Sequence, residues 1–198
     1  MKKPGTRFNA ALEPITAPLP AALAQAIGHT IARHSYIEWL MGQVLYSLLE
    51  ISIKQGRKVV QRPSPRAYVA AVQGLYAFHQ LPTTFDFEDL ARRLEKADRA
   101  RDALAHSVYM TDVNSRSLKP HLVRGSWALD DDAEFVSRDA WPETPPLDRE
   151  LLARLRKDVE DAVTRAEKLQ ATTDKLLREL HERRRTNPQF NRRKGDRG

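Results

Sequence analysis

The chain has 198 residues, no cysteine, and 33 Lys and Arg against 26 Asp and Glu, a formal charge of +7. A hydrophobic fraction of 41% beside 30% charged residues is that of a chain able to build a soluble core, so wholly disordered and membrane-protein classes are set aside. The absence of cysteine removes disulfide scaffolds, thiolate zinc sites, iron–sulfur clusters and Cys nucleophiles, and makes the cytoplasm the expected location.

Residues 1–20 open with Lys2 and Lys3. Asn9, Glu13, Pro14, Pro18 and Pro20 then interrupt any apolar run, so the sequence predicts neither a signal segment nor a membrane span, only a flexible arm. From Leu23 to Gly56, Leu23, Ile27, Thr30, His34, Ile37, Met41, Val44, Leu48 and Ile51 recur at steps of three and four, the pattern of one apolar helical stripe. Gly56 and the Pro63/Pro65 pair are expected to end this helix and open a second over 65–80, with Val69, Val72, Leu75 and Tyr76 facing inward. Beyond Pro82, a third helix starts near Asp86 and carries Phe87, Leu90, Leu94, Ala97, Arg101, Leu104 and Val108 on its stripe. Residues Leu122–Leu129 and Glu134–Val136, parted by Asp130, Asp131 and Asp132, read as a short hairpin. A long helix over about 147–182 follows, with Leu152, Leu155, Val159, Ala162, Ala166, Leu169, Thr173, Leu176 and Leu180 near heptad spacing.

The expected fold is therefore all-α: an up-and-down bundle of about four main helices over 21–182, with a small hairpin-like insertion before the last. The charge does not belong to that body. Residues 183–198 hold seven Arg and Lys and one Asp, whereas 1–182 hold 26 basic and 25 acidic groups, so the expected disordered tail carries nearly all of the excess. Such a tail can attract phosphates or merely solubilise the chain.

Arg101 stands where the stripe of the third helix calls for an aliphatic residue. A guanidinium there either reaches the edge of the core, pairs with an acid such as Glu38 or Glu50 of the first helix, or opens a polar cleft. Asp102 and His106 are four residues apart, a spacing that on a helix puts a carboxylate beside an imidazole and suits proton transfer near neutral pH. The segment Arg101-Asp102-Ala103-Leu104-Ala105-His106 thus reads R-D-x-x-x-H. Arg116 and His121 repeat the spacing, but with Pro120 between them and no helical period around them.

This segment, on a late helix between a long apolar first helix and a long last one, resembles the HEPN superfamily (higher eukaryotes and prokaryotes nucleotide-binding), whose hallmark is R-x4–6-H. The family pattern more often has Asn after the Arg and Gly after the His, where this chain has Asp102 and Ser107. The resemblance implies a metal-independent endoribonuclease working without cofactor as a homodimer. His106 would be general base on the ribose 2′-hydroxyl, Arg101 would stabilise charge on the scissile phosphate, and Asp102 would orient the pair. It implies a toxin–antitoxin, phage-defence or stress-response setting, with RNA as substrate and an antitoxin or defence protein as partner. The alternative is a non-catalytic dimerising or RNA-binding protein of the same fold. On an ideal helix Arg101 and His106 stand about 140° apart, so a shared cleft calls for two copies of the third helix.

Other constellations read as structural. His34 and Glu38 could ligate a metal, but His34 lies on the apolar stripe and spacing supplies no third ligand. His29 with Arg33 is a surface pair; Tyr68, Tyr76 and Phe78 are expected to pack rather than stack bases; Asp130–Asp132 lack the alternation of a calcium loop. No phosphate-binding glycine loop and no G-x-S-x-G elbow is present.

Overall fold

The structure, a computed structural model, describes residues 12–14, 19–59, 64–105, 107–112, 121–124 and 147–186. In chain order these form β1 (Leu12–Pro14), α1 (Ala21–Leu48), α2 (Ile53–Val59), α3 (Pro65–Phe78), α4 (Phe87–Ala105), β2 (Ser107–Asp112), β3 (His121–Arg124) and α5 (Arg149–Thr186). The fold is an all-α helical bundle with a small antiparallel sheet of order β1-β2-β3. The residues fall into two compact units, Met1–Ala32 with Ala97–Val159 and Arg33–Lys96 with Glu160–Gly198; α1, α4 and α5 each give a segment to both.

Local chemistry sets the helix starts. Asp86 Oδ1 accepts from the Asp89 amide at 2.9 Å, and Asp148 Oδ1 accepts from the Leu151 amide at 2.7 Å, each satisfying one of the orphan donors of a first turn. Ser64 caps α3 with Pro65 in its first turn. Ser52 and Gln55 form a reciprocal box: the Ser52 amide donates to Gln55 Oε1 at 2.9 Å, and the Gln55 amide donates to Ser52 Oγ at 3.3 Å. That box starts α2, which periodicity had merged into the first helix. α1 stops at Leu48 instead of running to Gly56, and Gly56 lies inside α2, where a Cβ would collide with the ring of Tyr46.

The ends of α1 and α3 share one device. The amides of Ile51 and Glu50 donate to the carbonyls of Tyr46 and Ser47, and those of Leu81 and Gln80 to Tyr76 and Ala77, with Glu50 and Gln80 at φ of 55° and 54°. These are Schellman closures whose left-handed position is taken by a side-chain-bearing residue instead of glycine.

In the unit containing Arg33–Lys96, the core holds Leu40, Met41, Val44 and Leu48 of α1, Val72 and Tyr76 of α3, Leu90 and Leu94 of α4, and Val163, Ala166 and Leu169 of α5. Tyr76 meets Phe87 edge-on, with centroids 5.3 Å apart, and its hydroxyl lies 2.6 Å from Thr173 Oγ1. Arg93 pairs with Asp161 and Arg165 with Asp89, so α4 and α5 run antiparallel. Arg33 pairs with Glu160 while Glu50 meets His181 and Arg184, so α1 and α5 run in the same sense; the intervening α2 lets α3 share that sense too. Asp89 gathers Arg92, Arg93 and Arg165, and its hydrogen bonds from Arg93 and Arg92 hold its carboxyl below the ordinary aspartate value of 3.8.

In the other unit, Ile27, Leu104 and Leu147 form the buried centre, with Leu19, Leu23, Ile31, Leu151, Leu152 and Leu155 packed around it. Its sheet pairs Leu12 with Asp112 and Pro14 with Met110, then Ser107 with Arg124 and Met110 with His121. Part of the N-terminal arm is therefore a strand, and Pro14, which has no amide hydrogen, sits on an edge strand. Of the expected hairpin, residues 122–124 fall in β3, which pairs with β2. Val108, assigned by period to the third helix, lies in β2, whereas 125–146, with the acidic run and the expected strand at 134–136, lie outside the described residues. α5 continues to Thr186, so Arg183, Arg184 and Arg185 belong to its last turn and not to the tail; cations there complement the helix dipole.

Candidate functional site

Arg101 occupies the last full turn of α4. Ala97, Ala100 and Leu104 around it are buried, at 0%, 1% and 2% exposure. The buried positions step from Ala97 to Ala100 to Leu104, leaving Arg101 at the margin of the stripe with 28% of its side chain exposed. Its guanidinium is held from its own helix: Nη1 lies 2.8 Å from Asp102 Oδ1, and Nη2 lies 3.4 Å from Asp98 Oδ1. Glu50 meets His181 at 3.5 Å and Arg184 at 3.4 Å.

Asp102 has its carboxylate on Arg101. α4 spans Phe87–Ala105, and the expected pairings of His106 with Arg101 and Asp102 fall beyond the described residues. His106, Arg116, Pro120 and Asp130–Asp132 lie outside the described residues. The residue missed in the sequence is Asp98. Its three-residue spacing from Arg101 was available as a signal, since that step brings side chains together on a helix.

Two carboxylates on one guanidinium fix its orientation and screen its charge. A guanidinium carries five N–H donors, so an anion at Arg101 would share it with Asp98 and Asp102.

Elsewhere the packing readings divide. His34 is buried at 6% exposure, as a core histidine, and among the described residues no three His, Asp or Glu gather as a metal set. Tyr76 is wholly buried, but Phe78 is 78% exposed and does not pack into the core. Arg33, paired in the sequence reading with His29, forms a forked bond to Glu160, its Nε and Nη2 donating at 3.0 and 2.8 Å. A shallow cavity of about 440 Å³ is lined by Ser47, Glu50, Asp174, Leu177, Arg178 and His181. No helix among the described residues is long and apolar enough to cross a membrane. Comparison with protein-family models, with curated proteins and with solved structures gives no match.

Proposed function

We propose that this chain is a metal-independent endoribonuclease of the HEPN type, acting as a homodimer. The observation that carries the reading is Arg101, half-buried at the end of α4 and held by Asp98 and Asp102, five residues before His106. In the proposed reaction the His106 imidazole removes the proton of a ribose 2′-hydroxyl. The 2′-oxygen bonds to the adjacent phosphorus as the P–O5′ bond breaks and the leaving 5′-oxygen takes a proton from water, giving a 2′,3′-cyclic phosphate and a 5′-hydroxyl end, after which the imidazolium of His106 returns its proton to solvent. Arg101 stabilises the added negative charge on the phosphoryl oxygens, and Asp102 and Asp98 keep its guanidinium aimed. A second copy of the chain completes the cleft. The setting is toxin–antitoxin, phage defence or stress response, in the cytoplasm, with an antitoxin or defence component as the partner that restrains or triggers it.

The two carboxylates on Arg101 also support a second reading, in which the motif is a structural ion network in a non-catalytic dimerising or RNA-binding protein. Incubation of RNA with wild type, Arg101→Ala and His106→Ala in EDTA separates the two. The enzyme reading expects cleavage by wild type and a loss of at least a hundredfold in both variants, with folding intact by circular dichroism. Cleavage indifferent to both substitutions would falsify it. Sedimentation that gives a monomer with and without RNA removes the composite cleft.

A further inference from the structure

We propose that the ladder Arg33–Tyr36–Trp39 on α1 is a stacking site for an unpaired nucleobase, with Trp39 as its open face. The Tyr36 and Trp39 rings lie within 13° of parallel at 5.7 Å between centroids, and the Arg33 guanidinium covers Tyr36 at 5.3 Å. Glu160 fixes the first rung through its forked bond to Arg33, so the ladder is ordered before anything binds. Trp39 is 47% exposed, and the core has no need of it: Ile37, Leu40 and Met41, its neighbours on the same helix, are at 4%, 1% and 2%. Its indole N–H makes no hydrogen bond among the described residues, which leaves a donor at the rim of an exposed flat surface.

Charge decides what fits. Between residues 34 and 49 the one charged side chain is Glu38, and Arg33 is already engaged by Glu160. This face of α1 therefore offers little to a phosphate. A neutral aromatic ring swung away from its backbone suits it, which means a base of single-stranded RNA rather than a duplex. Phe78, although more exposed, is a single ring turned edge-on to His79 and extends no stack. The choice of RNA rests on the ribonuclease reading; the geometry of the stack does not.

The test uses a fluorescein-labelled single-stranded RNA made uncleavable by 2′-O-methyl groups, and the same backbone with abasic positions. Wild type should prefer the RNA that carries bases. Trp39→Ala should weaken binding to it roughly tenfold and leave the abasic strand unaffected, with Trp39→Phe, which keeps a smaller ring, in between. Unchanged affinity in Trp39→Ala, or equal loss on both strands, overturns the site. So does a change in sedimentation without a change in RNA affinity, which would assign Trp39 to a protein contact. Since binding to uncleavable RNA needs no chemistry, cleavage assays run in parallel keep the readings apart. Cleavage that depends on Arg101 and His106, with RNA binding indifferent to Trp39, sinks the stack alone; binding that depends on Trp39, in a chain that cleaves nothing, sinks the ribonuclease alone.

Discussion

Thr173 Oγ1 donates to the Leu169 carbonyl at 2.8 Å, which commits its hydrogen, so the buried Tyr76 hydroxyl must be the donor across the 2.6 Å contact between them. The consequence is an asymmetry between two conservative changes. Tyr76→Phe removes a donor whose acceptor keeps its own bond, and should cost about 1 kcal/mol in urea denaturation. Thr173→Val leaves the Tyr76 O–H buried without an acceptor, and should cost about 2–3 kcal/mol. The double variant should recover part of that loss; strict additivity would show that the two hydroxyls do not interact. Arg101 was visible in the sequence because a cation interrupted an apolar stripe. Its partners were harder to read, because a helix margin lets a side chain turn to acids one and three residues away on its own helix as readily as to another helix.

Helix ends were the least legible elements. Val108 fits a four-residue step from Leu104, so the period ran on past Ala105. The Val-Tyr-Met-Thr run from 108 is equally at home in a strand, and pairing with β1 and β3 settles it as one. The long middle of α5 was easy by comparison: Val159, Ala162, Ala166, Leu169 and Thr173 are all buried as their spacing required, and the stripe then drifts from Leu176 to Leu177. Neither C-terminal closure could be found from glycine, since Glu50 and Gln80 occupy the left-handed position. That choice is testable at Gln80, which has no ion pair to lose. Left-handed backbone costs a residue with a Cβ about 1–2 kcal/mol, and glycine gives back about 0.5–1 through its freer unfolded chain. Gln80→Gly should therefore stabilise the protein by about 0.5–1 kcal/mol and raise its Tm by roughly two degrees, whereas Gln80→Ala should not. A lower Tm in the glycine variant would mean that the Gln80 side chain holds the turn.

At the scale of the whole molecule, the sequence revealed the helical class and a near-neutral body with a basic end, but placed the boundary of that end too early. Arg183–Arg185 complete α5, and Arg184 reaches Glu50 at 3.4 Å, so part of the positive charge is structural. Residues 187–198 add Arg192, Arg193, Lys194 and Arg197 against Asp196. The two stretches should therefore part company on truncation. Deletion from 187 should leave the Tm unchanged while flattening the dependence of RNA affinity on salt, by a slope of up to about 3 if all four cations meet phosphates of a single strand. Deletion from 183 should flatten it further and also lower the Tm, because Glu50 loses its Arg184 partner at the end of α1. Cleavage, if it belongs to Arg101 and His106, should persist in the shorter deletion when salt is low and RNA saturating. Binding measured over a series of salt concentrations for the three proteins tests the division. Equal slopes in all three would show that neither stretch meets phosphate, leaving the basic end a solubilising one.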